Sequence, residues 1–458
     1  MAAIITDPFK KQFMQKILDE VSNLDARYYV GIGKNDEWNS TETVPTPIDT
    51  PKTVKEAQNA LQSVKAVAAT SFVIPRHNWS AGSEYSGYDD NYATIPTNTY
   101  YVLTEDNNVY ICLQQSKSAT GSVNKSTVKP TGTSPKPFKT SDGYTWRFLY
   151  PISGADTAAF LSANFIPVKL LGDSATSDAF EIQQKAAQDS ANPGRILNIV
   201  VENQGSGYTE TPIVTITGNN GALGDSAQAT AEISNGKIVK IDMLNESAGG
   251  GNNFVNATVT ISGGGGSGAI ARAVIGPANG IGADPRDELK ATSLMFNSKP
   301  SGSENGDFLS GNTQDFRQVL LIRNPKTDSA NGNPLTATTA KALKYLQIDS
   351  SFANQLSINE LITNSKAIPA KAYVNEIVNF DASSMKVYYH QTDSTGYTPF
   401  LVGDTLTDEQ SNTGTIVVVA DSNELYINNS GEVLYVENRA PVVRPLNQIE
   451  DIKVVVTL

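Results

Sequence analysis

The side chains best suited to catalysis or metal binding are few and scattered in this sequence. Its 458 residues include two histidines, His77 in VIPRHNW and His390 in VYYHQTD, and one cysteine, Cys112 in NVYICLQQ. Metal sites and nucleophilic centres need several such groups at fixed spacing, and neither histidine has a second ligand nearby. The apolar run around Cys112 indicates a buried, unreactive thiol. We therefore expect no catalytic residue, no metal site and no enzymatic activity.

Glycine-rich and acidic segments offer no better candidates. The run 263–268 lacks the lysine and the Ser or Thr of a phosphate-binding loop, and the strand-like ARAVIG follows it. The segment 31–33, GIG, lacks the third glycine of a dinucleotide fingerprint. The acidic pairs at 89–90 and 408–409 lack the alternating oxygen ligands of a calcium loop. We expect no cofactor and no small-molecule substrate.

Composition excludes further classes of protein. Acidic residues outnumber basic ones by 47 to 35, which gives a net charge of −12. That charge has the wrong sign for binding the phosphate backbone of nucleic acid. The start, MAAIITDPFKKQF, has no apolar signal segment, and no apolar run approaches the roughly 18 residues that span a bilayer. We expect about three domains, made in the cytoplasm and without membrane insertion.

The elements that would position any site are predicted to be mostly strands. Short Val, Ile and Tyr runs between Gly, Pro and Asn predict a mainly β protein with a few helices and β-sandwich-type core domains. Apolar residues at helical spacing predict one helix over 7–24 and another over 51–68, each with proline in its first turn. The runs NTYYVLTED and NVYICLQQ predict a hairpin over 98–115.

A tandem repeat sets the segment 195–276 apart. Ile196 aligns with Ile238 and Val214 with Val259, at offsets of 42 and 45 residues. Alternating polar and apolar residues within each unit indicate half-buried strands, with glycine clusters at the bends. The segment is predicted to be an inserted β module that folds on its own.

A second module is predicted over 326–425. After a polar stretch, it has a short helical pattern around 342–346 and 356–361. Strand-like runs then follow at the spacing of a small barrel or sandwich. The last segment, 426–458, is predicted to consist of core strands, with ELYI folding back on VLYV across an Asn-Asn-Ser-Gly turn.

Five segments, read together and in order, resemble the dimeric β-rich wedge subunit of the baseplate in T-even-type contractile-tailed bacteriophages. They are YVGIGKNDEWNST (29–41), VIPRHNW (73–79), DGYTWRFLY (142–150), FRQVLLIRNP (316–325) and GEVLYVENRAPVVRPLNQIEDIKVVVTL (431–458). The resemblance implies a shared scaffold over 1–190, 283–325 and 426–458, which the modules 195–276 and 326–425 interrupt. All three tryptophans lie in matched segments, as core anchors would.

The resemblance also implies a function and partners. The chain would be a structural protein of the virion, in the tail baseplate, assembled in the host cytoplasm as a homodimer that joins other wedge subunits and moves with them on tail triggering. The arginines among the matched residues would be interface anchors or members of intramolecular ion pairs. The implied structural or interface residues are Trp38, Pro75, Arg76, Trp79, Asp142, Gly143, Trp146, Arg317, Glu437, Asn438, Arg439 and Pro441.

Two other classes of protein stay open. The β-rich repeat, with aromatic loop residues such as Tyr85, Tyr88 and Tyr92, would suit a carbohydrate-binding adhesin or fibre-associated protein. A glycan hydrolase would need a pair of carboxylates, and nothing in the sequence locates such a pair.

Overall fold

The computed structural model of the chain is mainly β, with a closed six-stranded barrel and a few helices, which confirms the predicted fold class. It describes residues 3–38, 43–174, 176–219, 227–244, 250–311, 314–327, 332–420 and 425–458. The chain forms two compact units. The first comprises Met1–Met14, Ser71–Leu294 and Thr457–Leu458, and the second comprises Gln15–Thr70 and Met295–Val456. The predicted boundaries between scaffold and insertions follow a different division and stay a prediction.

Six short helices lie between the strands along the described parts of the chain. In the described residues the α-helices are α1 (Asp7–Ser22), α2 (Pro51–Asn59), α3 (Gly154–Phe160), α4 (Ala179–Asp189), α5 (Pro285–Glu288) and α6 (Ser350–Ala353). The first predicted helix is confirmed as α1. At the start of α2, the Thr50 hydroxyl accepts a hydrogen bond of 3.2 Å from the Thr53 N–H, and proline fills the first helical position.

The prediction of a helix over 51–68 is wrong beyond Asn59. Residues Leu61–Ala66 form a strand, β2, which pairs antiparallel with β1 (Tyr28–Gly33). Leu61 and Val64 are buried there beside Tyr29. Because β2 has a neighbour on each side, it satisfies its backbone groups and buries apolar residues, and tertiary pairing overrides the helical spacing.

One sheet of the first unit has the strand order β4-β5-β7-β6. Its strands are β4 (Tyr101–Leu103), β5 (Asn108–Gln114), β6 (Phe138–Lys139) and β7 (Thr145–Pro151). The predicted hairpin is confirmed, since Tyr101 lies opposite Ile111 and Leu103 opposite Val109. Asn107 turns the chain with a φ of 57°. Nearby, β3 (Ala69–Pro75) pairs antiparallel with β8 (Phe165–Val168).

The repeat segment forms a six-stranded sheet in the order β13-β10-β11-β12-β9-β14. Its strands are β9 (Ile196–Ser206), β10 (Ile213–Asn219), β11 (Ala229–Ser234), β12 (Lys237–Met243), β13 (Asn256–Ser262) and β14 (Ser267–Ile275). Equivalent strands of the two repeats pair with each other, β9 with β12 and β10 with β13. Each repeat therefore contains three strands; β14 contains most of the strand-like run ARAVIG, and β11 is the strand that the sequence pattern did not reveal.

The repeat sheet is fastened to neighbouring parts of the first unit. The Gln114 amide donates a buried hydrogen bond of 2.8 Å to the Ile241 carbonyl oxygen. The Arg272 guanidinium lies 2.6 Å from the Asp89 carboxylate. These contacts join the sheet to the segment 85–115 by more than the two chain connections at its ends.

A five-stranded sheet of the second unit has the order β17-β2-β1-β16-β24. The strands not yet named are β16 (Asp315–Arg323), β17 (Thr339–Lys341) and β24 (Glu432–Val443). All six residues of β1 are buried, whereas β24 lies at the edge and is largely half-exposed. The centre of the sheet therefore carries the core of this part of the unit.

A closed barrel follows in the chain. Its strands are β18 (Lys344–Asp349), β19 (Leu361–Asn364), β20 (Lys371–Asn379), β21 (Ser384–His390), β22 (Thr405–Thr407) and β23 (Thr413–Ala420). Inward-facing Leu346, Val374, Val387 and Ile416 belong to one buried cluster. The predicted helical pattern around 342–346 and 356–361 is wrong. β18 begins at Lys344 and closes the barrel by pairing with both β21 and β23, and residues 356–360 are not helical and lead into β19.

The last predicted strand is confirmed as β25 (Ile452–Thr457), which lies beside β15 (Ser293–Ser298) and buries Ile452 and Val454. The predicted hairpin between ELYI and VLYV is wrong. Of the first run, residues 425–427 are described and lie outside any strand, and VLYV belongs to β24, which pairs with β16.

Candidate functional site

Three of the five matched segments meet in the second unit. The segments 29–41, 316–325 and 431–458 supply β1, β16 and β24, which are neighbours in one sheet. Tyr29 lies opposite Ile322, and Leu320 lies opposite Val436. Strands that are hundreds of residues apart in sequence thus form one continuous surface.

A bulge in β24, at the edge of this sheet, contains the matched residues Arg439 and Pro441. Phe316 pairs with Val442 and Gln318 with Asn438, so three residues of β24, at 439–441, lie opposite the single residue Arg317. Such a bulge bends a strand and redirects its backbone groups. Pro441 is exposed within it, at an edge position where a missing N–H costs no ladder hydrogen bond.

The redirected backbone holds Trp38. The indole Nε1 of Trp38 donates to the Arg439 carbonyl oxygen at 3.2 Å, and the Lys34 ammonium lies 4.7 Å from the centroid of the indole ring. Beside them on the same strand, the Glu437 carboxylate accepts from the Tyr435 hydroxyl at 3.0 Å. The side chain of Arg439 lies 4.0 Å from Glu437 and is partly exposed, so a neighbouring subunit can reach it.

Arg317, by contrast, is committed within the unit. It is buried, and its guanidinium donates to the Asn35 carbonyl oxygen and, at 2.9 Å, to the Asp315 carboxylate. Of the two roles left open for the matched arginines, the intramolecular ion pair describes Arg317. Asn438 is likewise engaged, since its amide donates to the Pro45 carbonyl oxygen at 2.8 Å.

A buried network of amide side chains lies behind this edge. The Asn35 Oδ1 accepts from Gln62 and, at 3.0 Å, from Asn375. The Asn35 Nδ2 donates to Asn359 at 3.2 Å, and His390 Nδ1 lies 2.7 Å from the Asn375 Oδ1. Because buried polar groups are costly unless paired, this network fixes β1 against the barrel strands β20 and β21.

Asp36 connects the buried network to the surface. One carboxylate oxygen lies 3.3 Å from His390 Nε2, and the other lies 2.8 Å from the Lys34 ammonium. Burial alone would raise the pKa of Asp36, but its contacts with His390 and Lys34 lower that pKa to about 2. The carboxylate is therefore ionised in the folded protein and acts as the anchor of two cationic or polar neighbours.

A cleft of about 410 Å³ opens beside Asp36 and Trp38. Its acidic side chains are held in ion pairs, since Lys52 lies 2.6 Å from Asp393 and 3.3 Å from Glu56. Tyr397, which is partly exposed, also lines the cleft. The ion pairs with Lys52 hold the two carboxylates in place.

The other two matched segments meet in the first unit. Trp79 and Trp146 belong to one aromatic cluster, in which Trp146 is fully buried and stacks on Tyr144 with ring centroids 5.8 Å apart. The Trp79 indole donates to the Ser126 hydroxyl at 3.2 Å. Tyr85 packs edge-on against Trp146, 5.5 Å between centroids. Trp146 is therefore part of the core, and Trp79, which is partly buried, packs against the same cluster.

Asp142 and Gly143 form the turn that leads into this cluster. The Asp142 carboxylate accepts from the backbone N–H groups of Thr127 and Val128, at 2.8 and 2.9 Å. Burial would raise the pKa of Asp142, yet these hydrogen bonds and one from Thr140 lower it. Gly143 has a φ of 90°, and a Cβ there would lie 2.8 Å from the Ser116 hydroxyl, so the position requires glycine.

Pro75 and Arg76 close the same unit at the end of β3. Pro75 is exposed, and its carbonyl oxygen accepts from the Tyr101 hydroxyl at 2.6 Å. The Arg76 guanidinium donates to the Asn78 side chain and to the Ser162 carbonyl oxygen, both at 2.9 Å. Arg76 thus ties two loops together within its own chain.

The remaining groups capable of chemistry are held inside the fold. Cys112 is fully buried, and burial raises the pKa of its thiol. His77 packs edge-on against Tyr101, and burial lowers its pKa. In the described ranges, no group of three or more His, Cys, Asp or Glu side chains is placed to hold a metal ion. Over the same ranges, no helix has the length and apolar character needed to cross a membrane.

Sequence reasoning missed the amide network around Asn35. Its directly bonded members are up to 340 positions apart and show no spacing that marks them. The signal in the sequence was the polar segment KND (34–36), which directly follows the buried strand β1. A polar side chain at the end of a buried strand needs hydrogen-bond partners.

The described residues form a mainly β protein. No protein-family model matches the chain, and no curated protein matches it significantly.

Proposed function

We propose that the protein is a structural subunit of the baseplate wedge in a contractile bacteriophage tail. The observation that carries the proposal is the convergence of the matched segments. Three of them are neighbouring strands in the second unit, and the other two share one aromatic cluster in the first. Segments that belong to a common scaffold would be expected to meet in its packed parts, as these do.

A structural role also accords with the use made of the chemically competent side chains. Asp36, His390 and Arg317 are engaged in hydrogen bonds and ion pairs with their neighbours, and Cys112 is buried. Such groups rigidify a scaffold. We therefore propose that the protein is not an enzyme and acts without cofactor, metal ion, nucleic acid or small-molecule substrate.

The proposed partners are a second copy of the chain and the other wedge subunits. The half-exposed edge strand β24, with the partly exposed Arg439, is a surface suited to a neighbouring subunit. In the virion the protein would join adjacent subunits and move with them when the tail is triggered.

The alternative of a carbohydrate-binding adhesin receives less support. Tyr85 is buried in the aromatic cluster, and Tyr88 and Tyr92 pack against Tyr100, with centroids 5.5 and 6.1 Å apart. Aromatic rings that bind sugars need an open face, and each of these rings packs against other aromatic rings of the chain. A glycan array with the whole protein tests this class directly.

The decisive experiment is loss of the protein from the virus that encodes it. Particles made without it should lack assembled baseplates in negative-stain electron microscopy, and supply of the wild-type protein should restore them. An epitope inserted at the exposed turn 263–265 should place antibody label at the baseplate end of the tail. Normal baseplates in the absence of the protein, or label elsewhere on the particle, would refute the proposal.

A further inference from the structure

The cleft beside Asp36 and Trp38 has the size of a small-molecule site. Its volume of about 410 Å³ falls within the roughly 300 to 1,000 Å³ that is usual for such sites. Segments 34–38, 45–60 and 391–397 supply most of its lining, and all three belong to the second unit. Because these segments adjoin or contain β1, α2 and β21, regular elements hold the walls of the cleft in place.

Two aromatic side chains, Trp38 and Tyr397, line the cleft. Within the part of the chain that the structure describes, neither ring packs against a second aromatic ring, unlike the loop tyrosines of the first unit described above. The Lys34 ammonium lies over the Trp38 ring, whereas Tyr397 is 42% exposed. Tyr397 therefore offers a flat apolar surface, with a negative face that suits the C–H groups of a ligand.

The hydrogen-bonding groups of the cleft are fixed by the fold. The Gln391 amide nitrogen donates to two backbone carbonyl oxygens, at 3.0 and 2.8 Å, so its amide oxygen is left to accept. Among the described residues, Glu56 Oε1 has no hydrogen-bond partner although it is buried. The Thr392 and Ser394 hydroxyls lie 2.8 Å apart and can each donate or accept. Since these groups are positioned before binding, a ligand rich in hydroxyls loses little in ordering them.

The charges of the cleft favour a neutral ligand. The Asp36 carboxylate lies 2.8 Å from the Lys34 ammonium, and Asp393 and Glu56 share Lys52, at 2.6 and 3.3 Å. These three carboxylates and two ammonium groups leave a surplus of negative charge, which disfavours a phosphate or carboxylate ligand. A cation would find each carboxylate already beside an ammonium group.

We propose that this cleft binds a carbohydrate, with a sugar ring stacked on Tyr397 and its hydroxyls bonded to the oxygens of Glu56 and Gln391. A sugar combines the required properties, since it is neutral, carries an apolar C–H face and presents hydroxyls that donate and accept. The site is distinct from the loop tyrosines considered under the adhesin alternative. Glycan binding goes beyond the proposed structural role and does not depend on it.

A glycan array with the whole protein and its variants tests the site. The array should cover bacterial surface polysaccharides and common oligosaccharides, and the wild type should bind a reproducible subset of them. Tyr397→Ala should weaken that binding at least about tenfold, because it removes the stacking surface. Phe380→Ala removes a similarly exposed ring of the same unit and should leave binding unchanged. Glu56→Gln keeps the shape of the glutamate and should also weaken binding, which covers the case in which Tyr397→Ala does not fold.

Tryptophan fluorescence supplies a second readout. Trp38 lines the cleft, whereas Trp79 and Trp146 lie in the first unit. A glycan identified on the array should shift the emission of the wild type and leave that of Trp38→Phe unchanged. Absence of glycan binding by the wild type would overturn the proposal, as would binding that both Tyr397→Ala and Glu56→Gln retain in full. The baseplate role is decided separately by microscopy.

Discussion

Replacing Asp36 by asparagine should remove a pH-dependent part of the stability of the second unit. Asp36 holds Lys34 at 2.8 Å and His390 at 3.3 Å, and an asparagine side chain would keep the shape of the aspartate without its charge. The substitution therefore isolates the electrostatic contribution of one carboxylate at the junction of the buried network and the cleft.

The magnitude follows from the pKa. In the folded protein the pKa of Asp36 is about 2, against an ordinary value of 3.8. A group whose folded pKa is depressed stabilises the fold above its unfolded pKa, and this stabilisation disappears as the pH falls through the folded pKa. The difference amounts to about 2 kcal/mol, fully present above roughly pH 5 and lost by about pH 2.

Urea unfolding followed by circular dichroism at a series of pH values measures this contribution. Asp36→Asn should be less stable than the wild type by about 2 kcal/mol at pH 6, and the two curves should approach each other toward pH 2. Asp25→Asn makes the same change at an exposed position and should differ from the wild type by less than about 0.5 kcal/mol throughout. A penalty for Asp36→Asn that is equal at pH 2.5 and pH 6 would refute the reasoning, since an effect of shape does not titrate.

Three further predictions concern packing, burial and the chain end. Trp146→Ala should destabilise the first unit by about 3 to 5 kcal/mol in urea unfolding, because the indole is fully buried among aromatic rings, and a loss below 1 kcal/mol would contradict its role as an anchor. Burial raises the pKa of Glu288 to about 8, so the wild type should lose stability as the pH rises from 4.5 to 8 while Glu288→Gln does not, and a wild-type melting temperature that is constant over this range would be inconsistent with that pKa. Removal of 446–458 deletes β25, with its buried Ile452 and Val454, and should give insoluble or unfolded protein, whereas a soluble protein with an unchanged melting temperature would show that the strand is dispensable.

The elements that could be predicted were those set by local pattern. The hairpin of β4 and β5 was predictable because period-two runs flank a short polar link, and α1 because apolar spacing follows an Asp-Pro start. The strand β2 was not predictable, since Leu61 and Val64 have helical spacing and only the neighbouring strands make a strand more stable.

The candidate site was predictable only in part. Trp38 and Arg317 were identified because they lie in short segments that resemble a known family. In the structure Trp38 donates to the Arg439 carbonyl oxygen of β24, and Arg317 donates to the Asn35 carbonyl oxygen. The partners of Asn35 come from the barrel, and no periodicity relates them to β1. Likewise, helical spacing identified the apolar face of α1 and could not tell whether that face is covered by its own chain.

The pairing of β9 with β14 has a consequence for how the protein is made. These are the first and last strands of the repeat sheet, and eight residue pairs join them, while the Gly276 N–H donates to the Arg195 carbonyl oxygen at 2.8 Å. During synthesis β9 leaves the ribosome about 70 residues before its neighbour, and its open edge must wait for that partner. Long-range closure of this kind slows folding, and an exchanged β14 between two nascent chains would satisfy the same hydrogen bonds. We therefore expect the repeat sheet to close only after β14 has been made, and to be prone to strand exchange at high expression.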